Sequence, residues 1–147
     1  METLNLSAYR ALAEARYRIR CFLRFSEEAA RKAGLEPQQH QLLLTVKGLP
    51  AGVRPTIGVL AERLQIRPHS AVELANRLSK AGFVVRRRDR TSEDRREVLL
   101  RLTAKGEKVL HELALRHRAE LLADGPTLIQ ALEGVLHTGG RKGKLRT

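Results

Sequence analysis

The sequence predicts a mainly α-helical fold with one small β-hairpin. Apolar residues recur at spacings of three, four and seven over most of the chain, which is typical of amphipathic helices. Two runs rich in β-forming residues, FVVRRR and EVLLRLT, flank a charged loop, which is the pattern of a hairpin. With 147 residues, 42% of them apolar, the chain has the length of one domain and can build a core without disulfides.

The first predicted helix covers residues 8–33, where the apolar residues form one stripe. Ser7 is its expected N-cap and Gly34 its expected C-cap. The stripe is longer than a small core usually covers. Part of it is therefore available to a second copy of the chain, although packing over its own domain is equally compatible with the pattern.

A pair of helices joined by a tight turn follows in the middle of the chain. Pro37 opens a second helix that runs to about Lys47, and a segment rich in Gly and Pro then breaks regular structure. Thr56 caps a short third helix, and after a turn of three residues Pro68 starts a fourth, for which Gly82 is the C-cap. This order predicts a helix-turn-helix.

The charged hairpin comes next, and helices end the chain. Thr103 is the expected N-cap of a fifth helix that runs to about Ala123. The Asp-Gly-Pro sequence of residues 124–126 is expected to stop it, and a short sixth helix covers residues 127–136. The remainder, residues 137–147, is predicted to be a disordered basic tail.

The charge of the chain indicates a polyanionic partner. Its 28 Lys and Arg exceed its 16 Asp and Glu, which gives a net charge of +12 and a pI of about 11.0. Aromatic residues make up only 3%, with no Trp, so platforms for stacking single-stranded bases are scarce. Duplex DNA is therefore favoured over single strands. No run of apolar residues reaches the length of a membrane span, and no signal peptide is recognisable.

The fourth helix has a polar outward face that suits the major groove of DNA. Arg and His can reach guanine acceptors, Asn can pair with adenine, and Glu can accept from cytosine. Any amphipathic helix also has polar residues on its outward face, so this face alone does not show that the fourth helix binds DNA. The candidate DNA-binding residues are Arg67, His69, Ser70, Glu73, Asn76 and Arg77.

The hairpin supplies the second set of candidate DNA-binding residues. Residues 86–96 hold six arginines against three acids, and arginine suits the negative potential of a narrow minor groove. A carboxylate within the loop can fix the direction of a guanidinium. The alternative is an edge hairpin that charge keeps soluble. The candidates are Arg88, Arg90, Asp94, Arg95 and Arg96.

Residues 60–110 resemble the MarR family of winged-helix transcription regulators. The resemblance lies in LAERL before a Pro-started helix, in NRLSKAGFV, and in DRREVLLRLTAKG. The chain is expected to be cytoplasmic, because neither a membrane span nor a signal peptide is recognisable in it. The resemblance implies a homodimer on a pseudo-palindromic operator, with a winged helix-turn-helix at 37–103 and dimerisation helices at 8–33 and 104–136. It also implies that Asp94 supports Arg96 in the minor groove. The residues expected in the dimer contact are Leu12, Ile19, Phe22, Leu128 and Leu132.

The resemblance also raises the question of whether a ligand or an oxidant controls DNA binding. Members of the family often release DNA when a small aromatic or phenolic ligand binds, and a branch senses oxidants through a cysteine on its first helix. Cys21 lies on that helix here, although an ordinary thiol is the simpler interpretation. The five histidines are not paired at helical spacing and no nucleophile or phosphate-loop motif occurs, so neither a metal, a cofactor nor an enzyme is expected.

Two other classes of protein share this charge. One is a non-specific nucleic-acid-binding or nucleoid-associated structural protein, and the other is a protein that lies on an anionic membrane. A regulator would retain one site against excess random duplex, whereas a coating protein would not. Co-sedimentation with anionic vesicles would identify the membrane-surface class.

Overall fold

The protein, seen in a computed structural model that describes residues 2–88 and 97–138, is mainly helical with one antiparallel pair of strands. This confirms the predicted fold class. The elements in chain order are α1 (Leu6–Lys32), α2 (Pro37–Lys47), α3 (Ile57–Leu64), α4 (Pro68–Lys80), β1 (Val84–Arg88), β2 (Val98–Leu102) and α5 (Ala104–Thr138).

The described residues form two compact units. Those of Ala29–Ala114 form the winged unit, and those of Met1–Glu28 and Leu115–Thr147 form the helical unit. The winged unit encloses a leucine-rich core to which its helices and both strands contribute. Removing such side chains from water is the main force that holds these short elements together. The largest fully buried side chains are Leu42, Leu43, Leu60, Leu74, Leu78, Val84, Leu100 and Leu113.

The ends of α1 differ in part from the prediction. The helix begins at Leu6, and the Asn5 side chain caps it by accepting a hydrogen bond from the Ala8 N–H at 2.9 Å. Ser7, the predicted cap, lies inside the helix instead. Gly34 does end the helix, because its φ of +84° belongs to the left-handed region that glycine adopts without strain.

The two strands pair antiparallel, with Val84 opposite Leu102 and Arg88 opposite Val98. The other edge of β2 is covered by the segment before α3, where the carbonyl of Pro55 accepts from the Leu100 N–H at 3.1 Å. This contact gives the second strand backbone partners on both sides, so the hairpin is fixed to the helix-turn-helix.

The predicted break at residues 124–126 is wrong. The last helix continues from Ala104 to Thr138 with Pro126 inside it, so the expected fifth and sixth helices are one element, α5. Proline removes only one helical hydrogen bond, and Ala131, beyond it, is buried. The packing of this helix is therefore more favourable than the helix end that the Asp-Gly-Pro sequence would otherwise produce. The expected basic tail lies outside the described residues from 139 onward.

The helical unit contains a buried polar contact between α1 and α5. The Ser26 hydroxyl and His117 Nε2 lie 2.7 Å apart, and Ser26 is buried. The rings of Phe22 and Phe25 approach the imidazole edge-on, with centroids 6.3 and 5.5 Å away. Within residues 2–88 and 97–138, no helix is long and apolar enough to cross a membrane.

Candidate nucleic-acid interface

The turn between α3 and α4 sets the direction of α4. The Thr56 hydroxyl caps α3 by accepting from the Val59 N–H at 3.2 Å, as predicted. Gln65 then turns the chain with a φ of +54°, and the Ile66 N–H donates to the Ala61 carbonyl. Pro68 starts α4 after three residues. This is the predicted helix-turn-helix geometry.

Only three of the six candidate DNA-binding residues of α4 lie on the side of the helix opposite to the core. Ala71, Leu74, Ala75 and Leu78 face the core. The opposite side is a row of exposed side chains at the helical spacing i, i+4, i+7 and i+11. This row, called here the outer stripe, consists of His69, Glu73, Asn76 and Lys80.

Three of the predicted residues of α4 therefore lie together on the outer stripe, and the others lie beside it. Arg67 is exposed at the N-cap position, and Ser70 is half-buried. Lys80 was missed by the prediction, although its spacing of seven residues from Glu73 and four from Asn76 would have identified it. It adds a positive charge to the last turn of the stripe.

Arg77 points to one side of the outer stripe. Its Nη1 donates a hydrogen bond to Glu36 Oε2 at 3.0 Å, which makes an ion pair between α4 and the residue before α2. Glu36 is itself held by a hydrogen bond from its backbone N–H to Gln39 Oε1 at 2.9 Å. Nothing in the local sequence indicates this pair, because 41 residues separate its members.

The first wing strand carries three consecutive exposed arginines, Arg86, Arg87 and Arg88, called here the wing arginines. Since side chains alternate along a strand, Arg86 and Arg88 share one face and Arg87 projects from the other. Arg86 Nη2 reaches the Val72 carbonyl of α4 at 3.4 Å, so one wing arginine lies against the helix. Among the predicted wing residues, Arg90, Asp94, Arg95 and Arg96 lie outside the described residues.

Hydrogen bonds close the wing where it joins the helices. The Thr103 hydroxyl donates to the Gly82 carbonyl at 2.6 Å and accepts from the Gly106 N–H at 3.1 Å. The Thr103 N–H donates to the Phe83 carbonyl at 3.0 Å. Lys105 Nζ donates to the Ala81 carbonyl at 2.8 Å and lies 4.5 Å from the centroid of the Phe83 ring. These contacts, called here the wing base, connect the end of α4 to the start of α5.

The predicted dimer residues all lie in the helical unit. Leu12 and Leu132 are exposed, with 47% and 43% of their surface accessible, and Ile19 and Leu128 are half-buried. Phe22 is half-buried and packs on His117 within the unit. An apolar groove of about 680 Å³ runs between the helices; it is lined by Leu12, Ala15, Arg16, Ile19, Leu132, Val135 and Leu136.

Cys21 is exposed at the edge of a smaller cavity of about 210 Å³ in the same unit. Glu120 and Asp124 also line this cavity, and the hydrogen bond that the protonated Glu120 carboxyl donates to Asp124 raises the pKa of Glu120. In the part of the chain that the structure describes, no three His, Cys, Asp or Glu side chains are placed to hold a metal ion. Oxidation of Cys21 stays a prediction.

Comparison with known proteins gives the same fold. Residues 33–97 match the sequence model of the MarR family. No curated protein matches the chain in sequence. The solved structure of AbsC, a MarR family transcriptional regulator from Streptomyces coelicolor, is 19% identical and covers 93% of this chain and 97% of its own, with a TM-score of 0.71.

Two further solved structures extend the likeness. A MarR family protein from Bacillus stearothermophilus is 20% identical, with 95% of this chain and 100% of its own covered and a TM-score of 0.66. CouR from Rhodococcus jostii RHA1, solved bound to p-coumaroyl-CoA, is 22% identical, with 86% and 88% covered and a TM-score of 0.59. The resemblance to the MarR family is therefore confirmed: residues 33–97 match its sequence model, and the chain has the winged-helix fold of MarR transcription regulators.

Proposed function

We propose that this chain is a cytoplasmic, homodimeric transcription regulator that binds a pseudo-palindromic site on double-stranded DNA. The observation that carries the proposal is the position of the outer stripe beside the wing arginines. A helix that presents His69, Glu73 and Asn76 can meet base edges in a major groove. The wing arginines would contact the phosphates next to it.

The two kinds of contact have different roles in this proposal. Asn76 lies in the middle of the outer stripe and would pair with a base, whereas Lys80 and the wing arginines would neutralise phosphates. A dimer would place two such helices about one helical turn, roughly 10 bp, apart on the DNA. Arg96, supported by Asp94, would enter the flanking minor groove, as the family resemblance implies.

Selection of bound duplexes from a random library, followed by titration of the selected site, tests this proposal. Asn76→Ala is expected to weaken binding to the selected site by about 1–3 kcal/mol and to leave binding to random duplex unchanged. Lys80→Ala is expected to weaken binding to both duplexes and to lower the salt slope by about one. Lys108→Ala, which removes the same charge from an exposed position on α5, is the control.

The same titration separates the regulator from the coating protein. A regulator should hold its selected site at least about 10³-fold more tightly than random duplex. Equal affinity for both duplexes, or an Asn76→Ala variant that loses affinity for both alike, would contradict sequence-specific binding. Response to a small aromatic ligand is a further expectation from the family resemblance, and loss of DNA on addition of p-coumaroyl-CoA would test it.

A further inference from the structure

Arg77, a predicted DNA-binding residue of α4, forms an ion pair with the residue before α2. Its guanidinium lies 3.0 Å from the carboxylate of Glu36, and both side chains remain about half exposed, at 54% and 58%. The outer stripe faces away from the core, whereas Arg77 is directed along the protein surface toward the start of α2. In this position, Arg77 can contact DNA either while it is still paired with the Glu36 carboxylate or after the ion pair has broken.

Glu36 is well placed to hold the Arg77 side chain in the ion pair. It stands at the N-cap of α2, where the partial positive charge of the helix terminus favours a carboxylate. The next residue back, Leu35, is buried, and the hydrogen bond between the Glu36 N–H and Gln39 fixes the backbone. The backbone that carries the Glu36 carboxylate is therefore fixed beside α4.

We propose that Glu36 is an internal counter-ion that withholds Arg77 from DNA phosphates and so limits affinity. If Arg77 left the pair for a phosphate, an unpaired carboxylate would remain close to that phosphate and repel it. If the pair stays intact, DNA meets a neutral group and releases no counter-ion at this position. The inference rests on the proposed function, since it concerns how tightly the same surface binds duplex DNA.

The test measures affinity for a random-sequence duplex between 50 and 200 mM salt, with the folded state of each variant checked by circular dichroism. Glu36→Gln frees Arg77, so it should bind more tightly and its salt slope should steepen by about 0.9. Its advantage over the unchanged protein should then shrink about threefold across this salt range. Arg77→Gln leaves the Glu36 carboxylate unpaired, so this variant should bind less tightly than the unchanged protein. The double variant replaces the ion pair with two neutral side chains, so its affinity should lie within about twofold of that of the unchanged protein and its slope should be the same.

The matched control is Glu107→Gln. Glu107 pairs with Lys47 at the same 3.0 Å in the winged unit, but neither residue lies on α4. An equal effect of Glu107→Gln and Glu36→Gln on the slope would mean that net charge alone is responsible, and the inference would be wrong. A flatter slope in the double variant would also overturn it, because this variant has the net charge of the unchanged protein and the lost contact would show that Arg77 already binds DNA. Failure of the unchanged protein to bind duplex at 50 mM salt would overturn the proposed function as well.

Discussion

Gly106 shows how much a single residue of the wing base matters. It lies in the first turn of α5, where a side chain would overlap the carbonyl of Phe83, which belongs to the chain entering β1. The same carbonyl accepts from the Thr103 N–H, so it cannot move away without losing that hydrogen bond. The Leu-Thr-x-x-Gly sequence at residues 102–106 therefore has a physical explanation: the threonine caps the helix and the glycine leaves room for the strand.

At this scale we expect Gly106→Ala to lower the free energy of unfolding by about 1–3 kcal/mol, because the added methyl group forces backbone apart. Gly58→Ala is the matched control. Gly58 is also helical, with open space where a side chain would lie, so alanine there should be neutral or stabilise by up to about 1 kcal/mol. Urea unfolding of both variants checks the difference. Equal stabilities would show that the wing base tolerates the extra group.

Among the elements, α5 departs most from the local signals of its sequence. Asp124, Gly125 and Pro126 together are typical of a helix end, yet the helix passes through them. Proline lacks the N–H that the carbonyl of Leu122 would otherwise receive. Leu121, before the proline, and Leu128, after it, line a cavity together with Phe22 of α1, which is about 100 positions away in sequence.

We expect Pro126→Ala to stabilise the protein, by as much as about 3 kcal/mol, because it restores the missing hydrogen bond in the interior of α5. Gln130→Ala, at an exposed position one turn later, should change stability by less than about 0.5 kcal/mol. Thermal unfolding followed by circular dichroism measures both. A lower Tm for Pro126→Ala would mean that the proline ring makes contacts that outweigh its lost donor.

Across the whole molecule, large apolar side chains remain exposed in the helical unit of a single chain. Leu122 and Leu136 are 71% and 75% exposed, and Leu12 and Leu132 border the apolar groove. Exposed apolar surface of this kind commonly marks an interface between proteins. This exposed surface supports the proposed dimer. Leu12 and Leu132 are better positions than Phe22 for a mutational test of the interface, because Phe22 also packs on His117 within its own chain.

We expect the double variant Leu12→Glu and Leu132→Glu to be monomeric at micromolar concentration. Two buried carboxylates on each side of a two-fold interface would lose their hydration without gaining partners. Leu44→Glu is the control, because Leu44 is equally exposed, at 45%, but belongs to the winged unit. Sedimentation equilibrium distinguishes the two states. A double variant that still sediments as a dimer would place the interface elsewhere.

The sequence predicted those parts of the molecule that short-range chemistry determines. Thr56, Pro68 and Thr103 each stand at a helix start, and their side chains or rings fix that start locally. The pairing of Arg77 with Glu36 could not be predicted, because it exists only after two helices have packed together. Lys80 required only the helical spacing of the exposed residues around it.

The wing base has a consequence for the motions of the winged unit. The Thr103 side chain is at once the N-cap of α5 and the partner of the Gly82 carbonyl, where α4 ends. Peeling the two segments apart at this junction would break the bonds of Thr103 to Gly82 and Phe83 and the bond of Lys105 to Ala81 in the same step. Because the segment that enters the wing and the segment that leaves it share these bonds, the two segments should loosen as one cooperative event.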